Sequence, residues 1–263
     1  MLLPQALRPD WPAPAQVSAL MSTRSGGVSV APYDSLNLRP PLLGGAGVDQ
    51  PESVFQNQRH FSQALGAVPI WLNQVHGTTV VTLTAADRQA GRDLPQADAS
   101  ISREPGLACT VLVADCLPVL FCSVDGLAVG AAHAGWRGLA AGVIDQTVSA
   151  LCQLAGCPAD QLLAWLGPCI GPQAFEVGED VLQAFGVDPR QPDASLFRHS
   201  PRSDGGHRWR ADLAGLATRR LATLGVRQLS GGTWCTFSDA SRFFSVRRDG
   251  RTGRMAAAVA IRG

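Results

Sequence analysis

No apolar run in this sequence approaches the roughly 20 consecutive residues that span a bilayer, so no membrane partner is expected. There is no dense Lys/Arg block either. Arg dominates the basic residues, the arginines are scattered, and the formal net charge is only +1; nucleic acid and anionic membrane surfaces are therefore poor candidates as partners. The opening stretch, MLLPQALRPDWPAPAQ, has no charged region followed by a long apolar one, and a cytoplasmic location is the expectation. Seven cysteines are an odd number without small-domain spacing, which argues against a disulfide framework and leaves most thiols reduced and packed. No internal repeat and no linker divides the chain, so 1–263 reads as one domain, long enough to bury a substantial core. Apolar residues make up 46% of it, and it is globular.

The stretch from Thr110 to Leu139, TVLVADCLPVLFCSVDGLAVGAAHAGWRGL, reads as two apolar strands bounded by Gly, Pro and Asp, the pattern of strands buried on both faces. Each is expected to end in a reactive residue, Cys116 in Ala-Asp-Cys-Leu-Pro and His133 in Ala-His-Ala-Gly-Trp-Arg-Gly. His76, in Asn-Gln-Val-His-Gly, closes an earlier strand-like run from Val68 to Val75 in the same way. One thiol and two imidazoles, each beside turn residues, are placed to converge.

Around this centre the pattern gives an irregular lead-in over 1–16 and a strand over Val17–Thr23. Arg24 precedes a Gly26-Gly27 turn whose glycines permit positive φ and close approach to a ligand; a plain hairpin with a solvent-facing Arg fits as well. Residues 39–49 read as loop. Pro51–Leu65 has the spacing of an amphipathic helix with Val54, Phe55, Phe61 and Leu65 on one side and Gly66 as its stop, and His60 on it reads as a solvated surface residue. Short strands follow at 70–76, 78–84 and 97–101. Asp98 is either an acid near the site or a turn-stabilising residue. A helix is predicted over Gly138–Leu154, starting just past His133, where its N-terminal amides would face a bound anion. Leu162–Leu166 is a strand, Glu179–Phe185 a helix, and 188–207 a mobile loop with His199 and His207 exposed. A helix over 211–224 turns Arg219 and Arg220 outward, and strands at Phe243–Arg248 and Met255–Ile261 finish the chain.

Cys and His are the side chains best suited to zinc, and three protein donors with one position left open is the catalytic arrangement. Positions 76, 116 and 133 lack the compact spacing of a CxxC pair or HExxH, so a buried inert thiol and hydrogen-bonded core imidazoles describe the same residues. A third reading makes Cys116 a nucleophile with a His as its base and Asp98 or Asp115 orienting that base. A bound zinc would hold the thiolate and blunt covalent attack.

The strings NQVHG, ADCLPVLF, AHAGWRG, LGPCIGP followed by FEVGEDV, and FFSVRRDGRTGRMAA, in that order, resemble the laccase-domain family, also called the YfiH or peptidoglycan editing factor family, from about Ser22 to Ile261. The resemblance implies an α/β (α+β) fold, a layered β-sandwich-like core flanked by helices. It also implies a metal site, most often zinc with copper as the other possibility, made by His76, Cys116 and His133. Family members are described as purine nucleoside phosphorylases that split adenosine, inosine, guanosine or methylthioadenosine with phosphate, with adenosine deaminase activity beside it. Similar bacterial proteins are linked to removal of misincorporated L-serine from a peptidoglycan precursor, an amidase chemistry, and the older label is polyphenol oxidase. Laccases need several coppers and many more His than the five present here. This chain departs from the family pattern at Asn37-Leu38-Arg39-Pro40-Pro41 and GGAGVD, and at Phe175, where a Tyr is usual. The candidates for the phosphate or ribose pocket are Arg24, Asn37 and Arg137, with Arg247 and Arg248 behind them. A non-catalytic module braced by its metal is the reading from another class. The chain is expected as a monomer or homodimer.

Overall fold

In the computed structural model the described residues are 3–44, 48–89 and 93–263; positions 1 and 2 of the lead-in and 45–47 of the 39–49 loop fall outside them. In chain order the elements begin with β1 (Val17–Met21), α1 (Pro51–Leu65), β2 (Val68–Ile70), β3 (Val80–Leu83) and β4 (Ala99–Ser102). The apolar centre supplies β5 (Leu107–Val113), β6 (Leu117–Ser123) and β7 (Val129–Ala134), followed by α2 (Trp136–Ala141), α3 (Val143–Ala155) and β8 (Leu162–Leu166). Then come β9 (Glu176–Val177), α4 (Glu179–Ala184), β10 (Phe197–His199), β11 (Trp209–Ala211), α5 (Leu213–Thr223), β12 (Gln228–Gly231), α6 (Val246–Asp249) and β13 (Met255–Ile261).

Two sheets form the sandwich, one ordered β1-β13-β5-β2 and the other β12-β8-β6-β7-β4-β3. Every residue of β5, β6, β7 and β13 is buried, as their unbroken apolar runs predict. Met21, Val111 and Val259 of the first sheet pack against Leu120, Val129 and Trp165 of the second. On the outer faces, α1 covers the four-stranded sheet through Phe61 and Leu65. The other sheet is covered by α3 and α5 through Val143, Leu151 and Leu221. Fixing a residue's backbone costs about 1–2 kcal/mol, while burying a Val, Leu or Phe side chain contributes about 1.5–3 kcal/mol. Strands clothed on both sides are therefore the elements that carry the fold, and the functional side chains hang from their ends.

Several expectations are corrected. The 110–139 stretch holds three strands, not two. The strand in the Val68–Val75 run stops at Ile70, and only an isolated bridge from Asn73 to Gln96 follows, because 71–79 leaves one sheet to reach the other. The helix over 138–154 is two helices, α2 and α3, broken at Gly142, whose φ of 99° is outside helical space. On α1 the buried side is Val54, Asn57, Phe61 and Leu65; Phe55, one residue off that phase, is exposed. Phe243–Arg248 is not a strand: Ser245 accepts a hydrogen bond from the Arg248 amide at 3.2 Å and starts α6. Nor is 188–207 a free excursion. β10 pairs antiparallel with β11, Arg219 pairs with Asp193 and Arg202 with Glu176. His199 and His207 are exposed as expected, with ring nitrogens 3.0 Å apart. Among the described residues no helix is long and apolar enough to cross a membrane.

Candidate metal centre

Three passages between the sandwich sheets meet at one place. Residues 71–79 join β2 to β3 and carry His76, 114–116 join β5 to β6 and carry Cys116, and 232–254 join β12 to β13 and carry Thr236 and Arg247. His133 arrives from the end of β7, one residue before its last, opposite Pro118 of β6. The Nε2 of His76 lies 3.7 Å from the Cys116 sulfur, and the donor atoms of His76, Cys116 and His133 all lie within 4.8 Å of one another. A tetrahedral ion at ordinary Zn–S and Zn–N lengths sets neighbouring donors roughly 3.6 Å apart, so two imidazoles and a thiol in this arrangement fit one such ion. His133 is buried, Cys116 half-buried and His76 exposed. The group is closed on one side and open on the other.

Asp98 holds the His133 imidazole and the His76 backbone. Its fully buried carboxylate lies 2.8 Å from His133 Nδ1 and accepts the amides of Val75, His76 and Gly77 at 3.1, 2.9 and 2.7 Å. With Nδ1–H donating to the carboxylate, Nε2 of His133 is the nitrogen left for a metal or the thiol. The three amide bonds also fix His76 at φ 61°, a left-handed conformation that costs a non-Gly residue about 1–3 kcal/mol. Hydrogen bonds to a charged acceptor, at about 1.5–3 kcal/mol each, more than offset that. Burial pushes the Asp98 carboxyl up, but the donors around it win and its pKa lies below the usual carboxylate value. The two readings offered for Asp98 are both correct: it stabilises the turn and it sits at the site.

The other supports are local. Gln74 extends the pairing beyond β2, its amide nitrogen donating to the Leu112 carbonyl at 2.9 Å and its oxygen accepting the Leu112 amide at 2.7 Å. Asp115, at φ 98°, accepts the Thr236 hydroxyl at 2.6 Å and the Arg247 amide at 2.7 Å. Its carbonyl accepts the Ile170 amide at 2.9 Å. The turn that presents Cys116 is thus tied to two other segments. Burial disfavours the Cys116 thiolate, yet the charge of His133 and hydrogen bonds from both imidazoles overcome it and bring the thiol down to about 6. Burial likewise opposes a charge on His133, but the facing thiolate and Asp98 carry it up to about 9. Cys109 and Cys122, buried without such partners, are pushed up to about 12 and are packing thiols.

The group opens into a cavity of about 650 Å³. Leu72, Leu112, Leu213 and Phe175 line its apolar part, and Arg39, Arg137, Arg247 and Arg254 its charged part, against one carboxylate among the described residues, that of Asp115. Arg137, a sequence candidate, is in this wall with its guanidinium 4.2 Å over the Trp136 ring. Arg24 and Asn37 are not brought to it. Arg24 donates to the Asp34 and Ala240 carbonyls, pairs with the Asp34 carboxylate at 3.3 Å and stacks on Phe244. Asn37, buried, donates to Asp49 at 3.1 Å and accepts the amides of Arg39 and Arg254; its short polar side chain braces the loop. Arg248 serves the carbonyls of Thr236, Phe237 and Phe243. Sequence reasoning missed Arg39 and Arg254, although Arg254 lies in the RTGRM stretch just before the last strand.

Gly135 lets the AHAGWRG turn touch the centre. A Cβ there would stand 2.8 Å from the His76 ring and 3.0 Å from the Cys116 sulfur. Gly135→Ala is expected to displace one donor and weaken metal binding by roughly 10–100-fold, the size of effect seen when a ligand loses its orientation. Titration with a chromophoric zinc chelator measures it, and an unchanged affinity would show that the turn yields freely.

Known proteins match this chain over nearly its whole length. Residues 18–262 match the family described as multi-copper polyphenol oxidoreductase laccase. A purine nucleoside phosphorylase of Pseudomonas aeruginosa is 52% identical over 254 residues, 96% of this chain and 97% of its own length. The purine nucleoside phosphorylase YfiH of Escherichia coli is 47% identical, over 95% of this chain and 96% of its own. Among solved structures, a Neisseria meningitidis protein superposes with a TM-score of 0.85 at 45% identity, over 98% of this chain and 100% of its own, and the Bacillus licheniformis YfiH with 0.83 at 29%, over 94% and 93%.

Proposed function

This chain belongs to the laccase-like YfiH family, described as multi-copper polyphenol oxidoreductase laccase, and within it we propose a zinc-dependent purine nucleoside phosphorylase with adenosine deaminase as a side activity of the same site. The observation that carries the reading is the pairing, in one cavity, of an open three-donor group with guanidinia that have no carboxylate partner among the described residues. Relatives named purine nucleoside phosphorylase at 52% and 47% identity support the same class.

His76, Cys116 and His133 would hold the ion, which when bound supplies Lewis-acid polarisation at the open face. Arg137 and Arg247, both exposed on the cavity wall, attract and orient phosphate. In phosphorolysis the N-glycosidic bond breaks as a phosphate oxygen bonds to the anomeric carbon, and the ribose gains oxocarbenium character. An anion fixed beside that carbon stabilises the developing positive charge and replaces a bimolecular encounter by a positioned one. Phe175, Leu72 and Leu213 give the purine an apolar wall.

A second reading rests on the lowered thiol of Cys116 between two imidazoles: an amidase attacking through sulfur. Among the described residues only one group of three or more metal-capable side chains exists, which supports a single-ion site over the several coppers of a laccase. The test is to incubate zinc-reconstituted protein with adenosine and phosphate and to assay adenine and ribose 1-phosphate by chromatography. Both are expected, in equal amounts and dependent on phosphate. No product under these conditions, combined with covalent trapping of Cys116 that zinc does not prevent, would replace phosphorolysis by the amidase.

A further inference from the structure

We propose that Arg39 and Arg254 form a second anion subsite in this cavity, taking a phosphomonoester carried by the substrate itself; building on the phosphorolysis reading, this makes a nucleoside phosphate, rather than a bare nucleoside, the preferred substrate class.

The two residues are neighbours by construction. Asn37 Oδ1 accepts the amide of Arg39 at 3.2 Å and that of Arg254 at 2.9 Å, and the Leu38 amide donates to the Arg254 carbonyl at 3.0 Å. Both side chains line the cavity, both are half-buried, and neither has a carboxylate partner among the described residues. Part of each guanidinium is spent on carbonyls: Arg39 on Gly44 at 2.9 Å, Arg254 on Thr252 and Gly253 at 3.0 and 3.1 Å. Those bonds engage one terminal nitrogen of each, which leaves the rest of both forks without an acceptor among the described residues. Burial, and after it the like charge of Arg39, lowers the proton affinity of Arg254. Two half-desolvated cations held side by side are unfavourable unless an anion sits between them, and a paired guanidinium fork matches phosphate oxygens in number and geometry.

Inorganic phosphate does not account for this pair. Arg137 follows the Gly135 turn that touches His76 and Cys116, and Arg247 is held through its amide by Asp115 beside Cys116. Arg39 and Arg254 enter instead from the loop braced by Asn37 and from the start of β13. A neutral nucleoside with one phosphate leaves half of the four guanidinia unanswered. A substrate that brings its own phosphate answers both pairs.

Binding distinguishes the possibilities without requiring turnover. Zinc-loaded protein is titrated calorimetrically, in phosphate-free buffer, with adenosine and with adenosine 5′-monophosphate. The monophosphate is expected to bind at least about tenfold more tightly, as one additional charge-assisted contact implies. Arg39→Gln should bring the ratio close to one, and Arg39→Lys, which keeps the charge without the fork, should restore part of it; thermal melts confirm that both variants are folded. Equal affinity for the two ligands, no binding of either, or a ratio that survives Arg39→Gln and Arg254→Gln would each overturn the proposal. So would an Arg39→Gln variant whose only defect is a raised KM for inorganic phosphate with bare adenosine, since the pair would then be the co-substrate site. A wild-type preference for the monophosphate that Arg39→Gln abolishes, found without any phosphorolysis, would sink the phosphorylase reading and leave the subsite standing.

Discussion

Cys116→Ser is expected to lose its zinc and, with it, about three orders of magnitude of phosphorolysis. A serine hydroxyl does not ionise near neutrality, whereas the thiol it replaces lies at about 6 under the charge of His133 and the hydrogen bonds of both imidazoles. Two imidazoles remain, and a two-donor site lacks the coordination a catalytic zinc requires. Lewis-acid stabilisation amounts to several kcal/mol, which at 1.36 kcal/mol per decade is roughly a thousandfold in rate. Elemental analysis of wild type beside the variant, followed by the adenosine assay, checks both halves. Full zinc occupancy in the variant would remove sulfur from the ligand set. Lost activity at full occupancy would make Cys116 a nucleophile.

Asp98→Asn should be the most damaging isosteric change in the chain, lowering stability by about 3–5 kcal/mol and metal affinity by roughly 10–100-fold. The carboxylate receives four donors. An amide has one acceptor oxygen and would turn its own N–H groups toward at least one of those donors, leaving it buried and unsatisfied. His76 would then lose the restraint that keeps it at φ 61°. A linked pH effect follows from the sign of the shift. Because the folded-state pKa of Asp98 is depressed, its contribution is present above its unfolded value of about 3.9 and is lost as pH falls through the lower folded value. The gap between wild-type and Asp98→Asn denaturation midpoints should therefore be widest below the unfolded histidine value of about 6.5, narrow as pH rises toward the folded His133 value of about 9, which Asp98 helps to raise, and close under strongly acidic conditions. A gap that persists at the lowest accessible pH would mean that shape, and not charge, supplies the stabilisation.

Strands and donors were legible in the sequence for the same physical reason. Runs such as those of β8 and β13 are buried on both faces, so nothing polar interrupts them, and their observed limits of Leu162–Leu166 and Met255–Ile261 coincide with the apolar runs. Helix α1 was equally plain, since Gly66 at φ 75° ends it. Less visible were choices that depend on partners distant in sequence. Gly142 splits one periodic segment because α2 must stay by the turn at Gly135 while α3 lies across the six-stranded sheet. Arg24 and Asn37 carry the right chemistry for a ligand, but Asp34, Ala240, Asp49 and two backbone amides claim them first. Conversely, Arg39 and Arg254 matter because no carboxylate among the described residues pairs with them, and a missing partner leaves no trace in local sequence.

His76 and Cys116 stand on two separate crossings from the four-stranded sheet to the six-stranded one, and His133 stands on the latter. An ion gripped by all three is a rivet through the layers of the sandwich. Parting the layers pulls its donors away from one another, so binding of the ion should raise the free energy of that opening and protect the amides of both crossings from hydrogen exchange.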